Sequence, residues 1–487
     1  MSTELEKLEQ IKSKRKILVE EIFSQKYNYK EITEKDKKAN SIYHSKVFPS
    51  FKFPDDFFYN LAMKYKSEIE SNEFFTDLKR MPKGCLLHHH LIDSINVKWL
   101  SDTVMKEENL KNIYMRKFRD KYDILIYNKT PNLIGDKPDI PFKEIIDKYL
   151  LENKDKTVYD YFFQKLTMNS DEIENAKNNS EAWGVFMPKY FFCYFLVYYK
   201  EFFKEHIRNT FMQCIKDKQY RIESRNTPGI IRDENFNLIS VDEEMNIYLE
   251  ELKYINSLNL ETKFTFGLIV EIIKNKSDDI MTKIINNSLE LKKKYPELIC
   301  AIDLSGDEDH FRSLENLTPI LLKNTESNLP YIFHCGETLN AQNFNLIDGA
   351  LLNAKRFGHC INLFKLGNLS EYIKKNQIVL EINPISNQIL RQVRDLRLHP
   401  CIGYHNIGIK ICINNDDPTL YNTEGVAYDY FVVAATMEFD LLDFKCFGLN
   451  SIDGALINEE LKKEYKNKFL KNWNEFLEYF INKYEKN

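Results

Sequence analysis

Glycine and proline are scarce, at 15 and 14 of 487 residues, about half their usual combined share. That scarcity excludes collagen-like, linker-rich and low-complexity chains. The nine cysteines (Cys85, Cys193, Cys214, Cys300, Cys335, Cys360, Cys401, Cys412 and Cys446) include no CxxC pair and no paired Cys/His spacing. An odd number at wide spacing argues against a disulfide framework or a zinc finger. Most of them sit among apolar neighbours, where cysteine acts as a small hydrophobe. Long apolar runs are missing too. The longest, Tyr190–Tyr199, has ten residues, too few to cross a bilayer, and it reads as a buried aromatic helix. The N-terminus is charged from its fourth residue and lacks the apolar core of a signal peptide, so a cytoplasmic location is expected. Neither sign of charge dominates: Lys+Arg 68 against Asp+Glu 73 leaves −5. That balance offers no electrostatic reason to expect nucleic acid or a membrane surface as partner.

The remaining composition, 43% hydrophobic and 29% charged, is that of a globular protein. The length allows about three domains or one enlarged α/β barrel, and the order of elements favours the barrel. Residues 1–80 read as a helical extension. Leu8, Ile11, Ile17, Leu18 and Ile22 recur there at helical spacing among Lys and Glu, and Phe48–Pro54 breaks the helical pattern. Over 81–487, eight short apolar runs are each followed by a longer amphipathic stretch: Cys85–Leu87, Tyr220–Ile222, Phe264–Val270, Leu298–Leu304, Tyr331–Phe333, Arg356–Phe357, Ile378–Ile382 and Ile409–Ile413. Strands alternating with helices imply a parallel sheet, and eight such units predict an α/β fold of the (β/α)8 barrel type. About 126 residues separate the first strand from the second, far more than a βα connection needs. An insertion is therefore expected at about 102–180, with turn-like Asn128-Lys-Thr-Pro131 and Gly135-Asp-Lys-Pro138 in its middle.

In such a barrel the active-site face lies at the C-terminal ends of the strands. Polar residues collect at those ends: His88-His89-His90, Glu223-x-Arg225, Asp303-Leu-Ser-Gly306-Asp307-Glu308, His334-Cys-Gly-Glu337, Gly358-His359, Glu381 and Asn414-Asn-Asp416-Asp417. Strand side chains alternate faces, so His88 and His90 share one and His89 points away. Alone, His-x-His is as well read as a chance polar strand end. With His334 and Asp416 at two other strand ends it becomes three imidazoles and a carboxylate, a catalytic rather than a closed zinc set. Two-metal barrels need a bridging group, often a lysine of a middle strand; Ala301–Gly306 has none, so one ion is expected. Glu337 is read as a general acid raised by burial. His359 is a base or electrostatic partner beside the reacting water. Asp416-Asp417 is either a turn before Pro418 or a pair that divides metal and substrate duties.

Taken together, Met81-Pro-Lys-Gly84, His88-x-His90, Asp303–Glu308, Phe333–Thr338, Arg356–His359, Asn383–Gln388 and Asp416-Asp417-Pro418 resemble the adenosine deaminases. The branch they are most similar to is the adenosine deaminase-related growth factors, on Met81-Pro-Lys-Gly84, Pro384–Gln388 and Gly425-x-x-Tyr428-Asp429. The resemblance implies one Zn2+ held by His88, His90, His334 and Asp416. It implies Glu337 as proton donor to purine N1 and His359 handling the proton of the attacking water. Asp417 would bond N7, the Gly306 backbone would contact N3, and Trp183 is either a pocket aromatic or core filling. The implied reaction converts adenosine, and by extension 2′-deoxyadenosine, to inosine and ammonia. The alternatives are a 5′-modified adenine nucleoside or nucleotide as substrate, or a non-catalytic binding or signalling protein. The branch's dimerising helices have a counterpart in residues 1–80, which implies a homodimer. Two departures stand out. Leu91 occupies the position of an aspartate that contacts ribose in the branch, with Asp93 the nearest carboxylate. No cysteine lies between Cys85 and Cys193, so the branch's disulfide is missing.

Overall fold

The computed structural model of the chain describes residues 4–27, 32–118, 122–127, 140–324 and 329–486. Eight parallel strands form one sheet in chain order: β1 (Gly84–Leu86), β2 (Gln219–Asn226), β3 (Thr265–Ile273), β4 (Ile299–Ser305), β5 (Tyr331–Cys335), β6 (Arg356–His359), β7 (Val379–Ile382) and β8 (Ile411–Ile413). Each coincides with a run read from the sequence to within a few residues. β2 through β8 are buried almost throughout, as expected where a core fills the barrel and helices cover its outside. The sheet closes at the polar strand ends. His89 bridges Asp416 in parallel register, and the His90 N–H donates to the Asp416 carbonyl at 3.0 Å. The chain after β1 is therefore held by β8 on one side and β2 on the other, where Leu91 N–H donates to the Arg225 carbonyl at 3.0 Å.

The long connection from β1 to β2 carries structure of its own. A three-stranded antiparallel sheet (Ile113–Phe118, Tyr122–Tyr127, Ile140–Pro141) precedes helices Phe142–Glu152, Val158–Leu166 and Ser170–Asn175. This sheet is absent from the sequence expectation, and the turn-like motifs at 128–131 and 135–138 lie outside the described residues. The aromatic helix follows as Asn179–Val197, and Lys200–Lys216 leads into β2.

Ahead of the barrel, helix Glu34–Ile42 starts with a capping box, in which Thr33 and Asp36 satisfy each other's backbone N–H. Asp36 also ties this helix to the C-terminal helices, accepting from Trp473 Nε1 and Lys445 Nζ, both at 2.8 Å. The first helix, Glu4–Lys26, is tied down at its end, where Lys26 Nζ lies 3.0 Å from Asp443. Its Leu8, Ile11, Ile17, Leu18 and Ile22 are all exposed.

Candidate active site

The floor of the site is a chain of buried opposite charges. Glu223 accepts from Arg221 Nε and lies 2.7 Å from Arg356 Nη1; Arg356 Nε reaches Glu381 at 2.5 Å. Arg225 then joins Glu381 and Asp303, at 2.7 and 2.6 Å. All these side chains are essentially inaccessible. Buried charges persist only when paired and hydrogen-bonded, and here each guanidinium meets one or two carboxylates. Two of the carboxylates also brace imidazoles. Glu381 lies 2.7 Å from His88 Nδ1, and Asp303 lies 2.7 Å from His334 Nδ1. A third carboxylate, Glu271 of β3, lies 3.3 Å from His90 Nδ1. A carboxylate on one ring nitrogen orients the ring and leaves the other nitrogen to a metal.

Those other nitrogens converge. His90 Nε2 is 3.2 Å from His334 Nε2. Asp416 Oδ1 is 3.0 Å from His88 Nε2 and 3.4 Å from His90 Nε2. Ligand atoms of His88, His334, His359 and Asp416 lie within 4.8 Å of one another; those of His90, Asp416 and Asp417 form a second such group sharing Asp416. Gly358 makes room for this crowding, because a Cβ there would sit 2.7 Å from the His88 ring. The donor set fits a bound cation. His88 Nε2 and Asp416 Oδ1 face each other at 3.0 Å but not in hydrogen-bond geometry, and neither has another partner among the described residues, a costly state unless something else satisfies them. Burial disfavours a charged His90, yet Glu271 and Asp417 overcome it and push its pKa well up, so the site is short of positive charge. Burial pulls His334 down to about 4, which keeps its lone pair available at neutral pH.

His89 faces away, with Nδ1 2.8 Å from Ser224 Oγ, and lines a separate cavity of about 560 Å³. His89→Ala is expected to keep full metal occupancy and near-wild-type turnover; metal analysis and a rate measurement check both.

The floor opens into a cavity of about 940 Å³, a size typical of small-molecule sites. Glu337, His359, Asp416, Asp417, Gly306 and Trp183 all line it. Glu337 Oε1 and Asp416 Oδ2 each lie 3.8 Å from His359 Nε2. Burial first, then the Asp416 carboxylate, raises the Glu337 carboxyl well above the usual carboxylate range. The Glu337 backbone is pinned as well: Glu308 accepts from the amides of Gly336 and Glu337 at 2.8 and 3.1 Å, and Lys274 Nζ donates to Glu308 at 2.6 Å. Asp417 accepts from Tyr421 at 2.9 Å.

Leu91 and Asp93 are both buried, and Ile92 is the residue of the three that faces the cavity. The chain bends and turns over these three residues. Asp93 lies beside Asp417 and Cys193, and burial raises its carboxyl to about 7.

Sequence reading missed Glu271, although a lone carboxylate inside Val270-Glu271-Ile-Ile is a signal in itself. It also missed Lys274, Gln392 and His399, which carry no motif.

Residues 158–472 match the family model described as adenosine deaminase. Adenosine deaminase 2 of Dictyostelium discoideum is 29% identical over 448 residues, covering 86% of this chain and 78% of its own. Human adenosine deaminase 2 is 25% identical over 434 residues, covering 85% and 81%. Among solved structures, an N6-methyl-AMP deaminase from Arabidopsis thaliana superposes with TM-score 0.55 at 16% identity, over 81% of this chain and 98% of that one. An amidohydrolase from Burkholderia ambifaria with bound Zn superposes with TM-score 0.58 at 14% identity, over 83% and 94%. At such identities the structural likeness speaks for the fold. The sequence match extends over most of the barrel, from the insertion to the last helix, and by it the chain belongs to the adenosine deaminase family.

Proposed function

We propose that this protein is a zinc-dependent deaminase converting adenosine, and 2′-deoxyadenosine, to inosine and ammonia. The observation that carries the reading is the convergence of three braced imidazoles and Asp416 beneath a cavity that also presents Glu337 and His359. His88, His90, His334 and Asp416 would hold one Zn2+. Its chemistry when bound is Lewis acidity, which lowers the pKa of water towards about 7. The chain's own groups do the rest. Glu337, kept protonated by burial, gives its proton to purine N1 and makes C6 electrophilic. His359 borders the attacking water and stabilises the charge that develops there. Asp417 and the Gly306 backbone hold the purine edge, and Trp183 walls the cavity. Water adds at C6 and gives up its two protons, one to the amino group and one to restore Glu337, so the C6–N bond breaks and the amino group leaves as ammonia.

A second reading, a 5′-modified adenine nucleoside or nucleotide, is favoured by one feature: apolar Ile92 beside His90, with Arg232 and Lys276 farther along the cavity wall. A panel of adenosine, 2′-deoxyadenosine, AMP, adenine and 5′-methylthioadenosine on metal-analysed protein separates the two. Loss of the adenosine absorbance with release of ammonia is expected. Turnover of 5′-substituted compounds alone would sink the adenosine reading.

We also infer that helix Glu4–Lys26 pairs with its copy in a homodimer, because its exposed Leu8, Ile11, Leu18 and Ile22 form an apolar face of the kind that seeks cover. Sedimentation is expected to show a dimer, and Ile11→Asp with Ile22→Asp a monomer of unchanged fold.

A further inference from the structure

The loop after β7 contains a hydrogen-bond chain whose direction can be assigned throughout. It starts at a backbone donor. The Cys401 N–H donates to His399 Nδ1 at 3.1 Å, so Nδ1 is bare and the neutral His399 ring carries its proton on Nε2. Burial, which pulls His399 down to about 3, keeps that ring neutral. His399 Nε2–H therefore donates to Asn387 Oδ1, 3.1 Å away. That fixes the Asn387 amide, whose Nδ2 must donate. It donates to His359 Nδ1 at 2.9 Å and to Gln392 Oε1 at 2.8 Å. Gln392 is fixed in turn, and its Nε2 donates to Glu337 Oε1 at 3.0 Å.

Both branches end on groups of the proposed chemistry. His359 Nδ1 accepts, so the neutral ring has its proton on Nε2, the nitrogen facing Glu337 and Asp416. Glu337 Oε1 also accepts, so a proton on that carboxyl belongs on Oε2. Asn383 Nδ2 lies 3.4 and 3.3 Å from the two ring nitrogens of His359; both contacts are longer than the 2.9 Å bond from Asn387 to Nδ1, and the shorter bond sets the assignment. Asn387, Gln392 and His399 are all buried, so water does not compete for the chain.

We propose that His399, Asn387 and Gln392 are positioning residues that hold His359 as its Nε2–H tautomer and place the Glu337 proton on Oε2. In that state His359 serves as a hydrogen-bond donor to negative charge developing on the attacking oxygen, and Glu337 Oε2–H serves as the acid. This rests on the deaminase reading for its catalytic meaning, but the tautomer itself does not.

The test uses the full-length protein with 15N-labelled histidine, zinc-loaded and metal-free. The His359 resonances are expected to show a protonated Nε2 and a bare Nδ1 in both. Asn387→Asp replaces the donating amide by an acceptor and reverses the chain from that point. His359 is then expected to move its proton to Nδ1, with kcat down about 10²- to 10⁴-fold and zinc content and KM near wild type. Should that variant not fold, Gln392→Met is read instead. It is expected to lower kcat about 10-fold by loosening Glu337, and to add nothing in a Glu337→Gln background. A bare Nε2 on His359 in the wild-type protein, wild-type kcat in Asn387→Asp, or an additive loss in the double variant would overturn the proposal. Absence of ammonia release from every adenine compound would instead overturn the deaminase reading and leave the nuclear resonance result to judge the chain.

Discussion

Glu337→Gln is expected to leave fold and bound metal intact and to lower kcat by about 10²- to 10⁴-fold, the usual worth of a general acid. Glutamine matches the side chain in size, and its Oε1 can still accept from Gln392, so the loop held by Glu308 need not move. What disappears is the acidic proton. The burial that raises the carboxyl is what lets it hold a proton where an ordinary glutamate has lost one. The sign follows: the protonated form acts, so wild-type kcat is retained below the raised pKa and falls as pH climbs through it. The variant is expected to lose that alkaline limb together with the rate. A pH profile of kcat on metal-analysed protein checks both points, and near-wild-type kcat would remove Glu337 from the chemistry.

The second large effect is expected at Asp303, which meets neither substrate nor ion. Asp303 accepts from the His334 backbone N–H at 3.0 Å, lies 2.7 Å from His334 Nδ1, and accepts from Arg225 at 2.6 Å. Burial alone would raise its carboxyl; His334 and Arg225 overcome that and hold it well below the usual range. Asp303→Asn keeps the shape but removes the negative charge. His334 loses the partner that sets its ring and strengthens its basicity, and Arg225 keeps Glu381 as its one carboxylate. Loss of such a brace typically costs about 10- to 100-fold in metal affinity or activity. Competition with a chelator, followed by titration of zinc back into the stripped protein, is expected to show weaker binding with recoverable turnover. Unchanged affinity would mean that the charged floor supports the barrel and not the metal.

Much of this is legible in the chain itself. The eight strands show as short apolar runs because a buried parallel strand leaves little room for polar side chains. The residues at the barrel mouth show because they interrupt those runs at their C-terminal ends, where a barrel aims side chains at one place. His88 and His90 are separable from His89 by strand alternation alone.

Other features need three dimensions. The partner of His88 is 293 positions away, at Glu381, and no local pattern reports which distant strand ends will touch. The three-stranded sheet within the insertion leaves no clear mark in the chain. The direction of the bonds running from Cys401 to Glu337 depends on which amide face meets which ring nitrogen, and that is settled only when separate segments meet. The sequence by itself determined the barrel, the order of its strands and the residues at its mouth, because these follow from local periodicity. The tertiary structure alone decided which carboxylate braces which imidazole and which groups meet around Glu337 and His359, because hydrogen bonds are directional and join residues that the chain keeps far apart.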